Sequence, residues 1–553
     1  MSLLVVEDLN VRFRTDDQLV HAVRNIGFRL EARESLAIVG ESGSGKSQTI
    51  NSILGLLAEN GRAEGSVRLH DKEILNLDGE SMRKVRGRHI SVVFQNPMTS
   101  LNPYRTIGYQ LSRVLIEQRG LDAQLARAEV IRMLDAVRLP AARKRLNAHP
   151  HEFSGGMRQR VMIAAALLCR PDVLIADEPT SALDVTVQAS ILELLRELRE
   201  SFNTAMILVS HDLAVVAGQC ERLLVMDKGE FVEAGDTASI FSNPQHAVTR
   251  RLLDAVPRLD RPLNAPRPKV SDAEPILEAF GLSVRYRIPR RPGFRYRFVT
   301  AVRNIDLQLH AGESVGIVGE SGCGKSSLAR ALLAVGPRSG GLRFRGTNIE
   351  ALTAVGLRAF RRAVQLVFQD PVGSLNPRMT VADTLIEPMI VHDVIARGEV
   401  AMPKVLALLQ RVGLEEDIVN RYPHECSGGQ CQRIGIARAL AASPKALICD
   451  EAVSALDVSV QADILALLRT LQGELKLGLL FIAHDLAVVR DLCERIIVMH
   501  AGQIVEQGPT AAVFSAPQHS YTRALIAAAP VLKPVATHAA QTDLHEDASL
   551  QPW

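Results

Sequence analysis

The chain has 553 residues with 64 Lys and Arg against 61 Asp and Glu, a net charge of +3 that gives no bulk reason to expect nucleic acid as a partner. Its longest uninterrupted apolar run, Val161–Cys169, falls far short of the roughly 18 residues a membrane span needs. The opening MSLLVVEDLN has no basic segment and meets Glu7 too early for a signal peptide, so any membrane role is expected to be peripheral.

In chain order, the apolar run Leu36–Val39 predicts a buried strand, and it enters GESGSGKS (Gly40–Ser47) ahead of a helix-like segment. The G-x-x-x-x-G-K-[ST] pattern in that setting lets backbone N–H groups close around a phosphate. Next come SVVFQ ending at Gln95, SGG at Ser154–Gly156, a predicted strand Val173–Ala176 ending at Asp177-Glu178, a predicted helix Val187–Arg199, and a strand Met206–Val209 ahead of His211. A short helix is expected to close this half within Asn243–Pro257, with no chemistry of its own. Val256–Pro275 holds five prolines and reads as a semi-rigid linker.

The series then repeats. Val315–Val318 enters GESGCGKS (Gly319–Ser326), QLVFQ ends at Gln369, SGG recurs at Ser427–Gly429, and the strands Ala446–Cys449 and Leu479–Ala483 lead to Asp450-Glu451 and His484. A closing helix is expected within Ala516–Pro530. SGG, Asp-Glu and His-Asp-Leu recur at a constant offset of 273 residues, a period long enough for two whole domains. The seven cysteines include no C-x-x-C pair and predict free thiols in a reducing compartment.

Near-continuous apolar strands alternating with helices suit a parallel α/β sheet, whose ligands lie beyond the carboxyl ends of the strands. Lys46 and Lys325 would neutralise phosphate charge, while Ser47 and Ser326 offer hydroxyls to Mg²⁺. Asp177 and Asp450 end buried strands, where an unpaired carboxylate is costly, and Mg²⁺ is the natural partner. Glu178 and Glu451 suit the orientation or deprotonation of an attacking water, with a salt bridge as the alternative. His211 and His484 suit contact with a γ-phosphate, or simple hydrogen bonding. Gln95 and Gln369 are placed to reach the metal or the water. SGG before a helix makes either a cap or an anion site.

These motifs together resemble the ATPase domains of ABC transporters over almost the whole chain. The resemblance implies tandem P-loop α/β domains, each with a mainly parallel sheet, an antiparallel β part and a helical subdomain. It implies ATP and Mg²⁺ as cofactors, with domains at 1–255 and 276–534, a linker at 256–275 and a tail at 535–553. ATP would be held in the first half by Gly40, Glu41, Ser42, Gly43, Ser44, Gly45, Lys46, Ser47 and Gln48, and in the second by Gly319, Glu320, Ser321, Gly322, Cys323, Gly324, Lys325, Ser326 and Ser327. The signatures Ser154, Gly155, Gly156 and Ser427, Gly428, Gly429, Gln430 would cap the nucleotide of the opposite half. Phe13 and Tyr286 would stack on adenine, with Tyr296 and Phe298 as competitors. Catalysis would fall to Glu178, Glu451, His211, His484, Gln95 and Gln369, and the metal to Ser47, Gln95, Asp177, Ser326, Gln369 and Asp450.

VFQNPMTSLNP (Val93–Pro103), VFQDPVGSLNP (Val367–Pro377) and the PQH…TR closing segments resemble the peptide/nickel importers, some of which fuse two unequal ATPases. That likeness implies two integral-membrane permeases, an extracytoplasmic solute-binding protein, and work at the cytoplasmic face of the inner membrane. The rival is a soluble tandem ATPase acting on ribosomes or nucleic acid. Many ATPases of the peptide/nickel importer group carry a cysteine-rich C-terminal segment; the linker and the tail after Val531 contain no cysteine, so no iron–sulfur cluster is expected. The first signature has Met157 where the second has Gln430, and Ala452 stands where the first half has Pro179; function is expected despite both. Cys323, beside Lys325 at a helix N-terminus, is expected to favour its thiolate.

Overall fold

The computed structural model describes residues 2–15, 18–96, 100–180, 183–257, 274–288, 296–396, 399–454 and 456–529. The expected tail, and the linker apart from 256, 257, 274 and 275, lie outside them.

The first half contains β1 (Ser2–Arg14), β2 (Leu19–Glu31), β3 (Ser35–Val39), β4 (Gly61–Leu69), β5 (Lys72–Glu73), β6 (Ile90–Val93), β7 (Val173–Asp177), β8 (Ala205–Ser210), β9 (Arg222–Asp227) and β10 (Glu230–Asp236). They form an antiparallel sheet in the order β2-β1-β4-β5 and a six-stranded sheet in the order β10-β9-β3-β8-β7-β6, parallel except where β10 pairs with β9. The second half repeats both sheets with β11 (Leu277–Ile288), β12 (Arg297–Leu309), β13 (Ser314–Val318), β14 (Ser339–Phe344), β15 (Thr347–Asn348), β16 (Val364–Val367), β17 (Ala446–Asp450), β18 (Gly478–Ile482), β19 (Arg495–His500) and β20 (Gln503–Pro509).

Residue pattern explains the division. Every residue of β3 and β8 is buried, as in a parallel sheet covered on both faces, whereas β1 and β2 mix buried and exposed positions and cover one face of the same core. The other face of the six-stranded sheet packs on the helices Gly155–Leu167, Val185–Phe202 and Leu213–Ala217, and Ile107–Arg119 and Ala123–Ala136 pack in turn on Gly155–Leu167. Thr106 and Asp122 cap Ile107–Arg119 and Ala123–Ala136 through their side-chain oxygens. The predicted helix at Val187–Arg199 extends over Val185–Phe202, because Asp184 caps its first turn and Asn203 ends it in the left-handed conformation.

The halves touch. The closing helix Ala247–Ala255 packs on Val458–Leu475 of the second half, and Ser520–Ala528 packs on Val185–Phe202 of the first. Val458 belongs to a core cluster otherwise made of first-half residues.

Candidate active sites

β3 lies between β8 and β9, so the loop that follows it opens at the centre of the sheet, beyond the strands' carboxyl ends. Gly45 and Gly324 take φ of 109° on entering the helices Lys46–Ile53 and Lys325–Leu332, and a Cβ there would come within 2.6 Å of Ala22 O and 2.2 Å of Ala301 O. Only glycine fits that turn. Lys46 Nζ donates to Gly40 O at 2.7 Å and Glu41 O at 2.8 Å, and Lys325 Nζ to Gly319 O at 2.7 Å and Glu320 O at 3.1 Å. Each ammonium thus sits inside its own loop, and burial lowers the Lys46 pKa against the pull of nearby carboxylates.

The next strands bring the acids to the same place. Burial raises the Asp177 carboxyl and the Glu178 charge adds to the rise, opposed by a hydrogen bond from Ser47. Asp450 is raised chiefly by burial, and Ser326 Oγ donates to its Oδ1 at 3.0 Å. Glu178 and Glu451 follow with φ of 46° and 48°, an uncommon conformation for glutamate. It is held by Glu178 N donating to Val209 O and Glu451 N to Ile482 O, each at 2.9 Å.

Around Glu178 the sequence-predicted residues converge. Gln95 Nε2 donates to Oε2 at 2.6 Å, and His211 Nδ1 lies 2.9 Å from Oε1. Burial acts most strongly to raise the Glu178 carboxyl, but His211, Lys46 and Gln95 together outweigh it and leave the pKa below its ordinary value. Burial likewise works to lower the His211 pKa, and the hydrogen bond to Glu178 with the charges of Glu178, Asp212 and Asp457 reverses it. The reciprocal shifts describe an ion pair. In the second half Gln369 Nε2 donates to Glu451 Oε2 at 2.7 Å, Lys325 Nζ lies 3.6 Å from Oε1, and His484 Nδ1 stands 4.0 Å from Oε2.

Of the expected adenine neighbours, Tyr286 reaches the phosphate-loop helix, its hydroxyl donating to Ser327 Oγ at 3.3 Å, while Phe13 packs partly buried against the first core. Tyr296 and Phe298 are exposed, Tyr296 beneath the Arg287 guanidinium. The signature serines cap their own helices: Ser154 Oγ accepts from Met157 N at 3.4 Å, and Ser427 Oγ from Gln430 N at 3.3 Å. Gly156 and Gly429 are needed there because a Cβ would come within 2.6 Å of Val187 and 2.7 Å of Val460.

Two expectations change. Cys323 is buried, and burial raises its thiol above the ordinary value despite the nearby Lys325 charge, so the thiolate is disfavoured. The closing helices, expected to carry no chemistry, reach both phosphate loops. Arg251 Nη2 donates to Glu41 Oε1 at 2.9 Å, and Glu320 N donates to the Tyr521 hydroxyl at 3.0 Å. Arg251 and Tyr521 occupy different positions of the repeated segment, so the repeat carried no signal of either. Also unforeseen are the two hydrogen bonds that cross between the halves among the described residues. Ser42 N donates to Asp457 Oδ2 at 2.8 Å, and Thr186 Oγ1 donates to Glu320 Oε1 at 3.2 Å.

Paired sheets, phosphate loops and an acid–base row at the strand ends define a two-site ATPase. The ABC transporter family model matches residues 23–181 and 302–454, together more than half of the chain, and the chain belongs to that family. The model for the C-terminal region of oligopeptide/dipeptide transporters matches 232–287 and 505–549. The "Glutathione import ATP-binding protein GsiA" of Pectobacterium atrosepticum is 47% identical, covering 96% of this chain and 90% of its own length. The proteins of that name from Salmonella typhimurium and Escherichia coli O157:H7 are 47% identical over the same shares. Among solved structures, a dimeric ATP-binding cassette in a post-hydrolysis state bound to ADP and Pi is 29% identical, covering 42% of this chain and 98% of its own, with a TM-score of 0.39.

The chain is therefore an ATP-binding, ATP-hydrolysing subunit that energises import of peptides or a related small solute. The reading as a ribosomal or nucleic-acid ATPase is not favoured. No helix among the described residues is long and apolar enough to cross a membrane.

Proposed function

We propose that the chain works at the cytoplasmic face of the inner membrane as the paired ATPase of two integral-membrane permeases fed by an extracytoplasmic solute-binding protein. Glutathione or a similarly short peptide is the solute. The near full-length likeness to glutathione import ATP-binding proteins supports the solute. The row His211–Glu178–Gln95 beside the Lys46 loop supports the chemistry, and it is the observation that carries the reading.

In this reading the loop amides and Lys46 or Lys325 bind the phosphates, and Glu178 or Glu451 accepts the proton of the attacking water. His211 holds Glu178 in place and keeps it ionised. The donor set suits Mg²⁺: a serine hydroxyl, a glutamine amide and a carboxylate whose pKa burial has raised, which a cation would relieve. Ser47, Gln95 and Asp177 would hold it in one half, and Ser326, Gln369 and Asp450 in the other. Bound there, it neutralises phosphate charge. Asp457 at Ser42 and Thr186 at Glu320 give each phosphate loop a contact from the opposite half, as sharing of nucleotides between halves requires.

The test is uptake of radiolabelled glutathione by cells in which the chain is deleted and then restored. Restoration by the wild type but not by a Lys46→Ala, Lys325→Ala variant is the expected result. Unchanged glutathione uptake in the deletion would remove glutathione, and unchanged dipeptide uptake as well would remove short peptides.

A further inference from the structure

At the edge of the first half's sheet remote from the nucleotide, three potential metal ligands converge. His89 immediately precedes β6 and Asp172 immediately precedes β7, and the parallel register Ile90↔Val173 sets them side by side. About 16 Å of strand separates them from Asp177. His70 follows β4 at a turn of φ 48°, its amide donating to Leu3 O at 3.0 Å. His70 Nε2 lies 3.1 Å and His89 Nδ1 2.7 Å from the same Asp172 Oδ2. The three ligand atoms all lie within 4.8 Å of one another.

This is close to the shape a small cation needs. Bonds of about 2.0–2.2 Å in a tetrahedral site put neighbouring ligand atoms roughly 3.3 Å apart. The His70 nitrogen–oxygen edge of 3.1 Å is near that value, and the His89 edge of 2.7 Å has to open by about 0.6 Å. The nitrogen–nitrogen edge lies within 4.8 Å, and His70, half-exposed on the β4–β5 turn, is the ligand with room to adjust.

The fold does not force this set. In the second half the register Val364↔Ala446 repeats the scaffold, and the corresponding positions hold Arg345, at a matching φ of 47°, Ala363 and Lys445. One half thus carries two imidazoles and a carboxylate where the other carries two cations and a methyl group.

We propose that His70, His89 and Asp172 bind a divalent first-row transition ion, with Zn²⁺ as the representative and water completing the coordination. Each imidazole would turn a lone pair to the ion and carry its proton on the other ring nitrogen, and the carboxylate would balance charge. The ion would tie the β4–β5 turn to the leading edge of β6 and β7.

The full-length protein, stripped with chelator and kept in excess Mg²⁺ without nucleotide, is titrated with Zn²⁺ by calorimetry. Co²⁺ absorption serves as a second readout. The wild type is expected to take up one equivalent that a His70→Ala, His89→Ala variant loses or binds at least tenfold more weakly. A His151→Ala control, which alters the stacked His149–His151 pair, should keep it. ATP hydrolysis should be unchanged in both variants and reports folding. His70→Gln, which retains a hydrogen-bonding side chain, covers the case in which the double variant does not fold and should lose the same equivalent. Equal uptake by wild type and variants, or no uptake by the wild type, would overturn the site and leave a hydrogen-bonded surface cluster.

Discussion

The two ATP sites share most of their motif letters and differ in where the second acid leans. Glu178 is paired with His211 at 2.9 Å, whereas Glu451 stands 4.0 Å from His484 and 3.6 Å from Lys325. The loops differ as well: Ser42 N is taken by Asp457 of the opposite half, and Glu320 N by Tyr521 of its own. The same residue types therefore do not make identical sites. The phosphate loops and the acids beside them differ in partner between the two sites.

The largest test of that comparison is to remove both acids. Glu178→Gln with Glu451→Gln keeps shape but not the proton acceptor, and phosphate release should fall by about 10²–10⁴-fold while ATP still binds. Near-normal hydrolysis would end the assigned role. Among single variants, His211→Ala should slow turnover more than His484→Ala, and equal losses would mean that the difference in distance vanishes once the halves close on ATP.

A crossed effect comes next. Ser154→Arg should obstruct the nucleotide held by Lys325 in the other half, leaving ATP binding through Lys46 intact. Photolabelling with the halves separated by proteolysis after labelling reads this directly. Loss confined to the Lys46 half would contradict shared sites.

Tyr521→Phe removes the acceptor of Glu320 N, a hydrogen bond contributing about 0.5–1.5 kcal/mol, so a several-fold rise in ATP KM at the second site is expected. Burial pushes that hydroxyl up to about 12, so the loss should not vary across neutral pH. An unchanged KM would show that the closing helix merely packs.

The smallest effect is a pH dependence of the first site. His211 is held above its ordinary 6.5 and Glu178 below its ordinary 4.5. The pair's contribution to stability is complete between those values, fading as pH rises through the raised histidine pKa and as it falls through the depressed glutamate pKa. The melting-temperature advantage of wild type over His211→Gln should shrink from about pH 6 to about pH 9. A constant advantage would separate His211 from the ion pair.

What was legible follows from chemistry at strand ends. Lys46, Asp177, Glu178 and His211 each end or follow a short apolar strand, and phosphate, metal and water leave little choice of residue type there. The antiparallel sheet was legible only through resemblance, since β1 and β2 carry several register shifts that break simple alternation. Arg251 and Tyr521 escaped notice because neither recurs at its counterpart position. Cys323 was misjudged because a neighbouring lysine is visible in sequence and burial is not. His70, His89 and Asp172 lie far apart along the chain and meet only through strand register.

Covalent continuity between the halves has a consequence in mass action. Asp457 meeting Ser42 and Thr186 meeting Glu320 are contacts between unlike partners. Two separate subunits would have to form that mixed pair in competition with two like pairs, and would need some repulsive element to suppress them. Tethered in one chain, the partners meet at an effective concentration set by the connection rather than by expression, and the mixed pair forms at one-to-one stoichiometry. Selection on each half is thereby released from discriminating against copies of itself, leaving the duplicated surfaces free to drift apart.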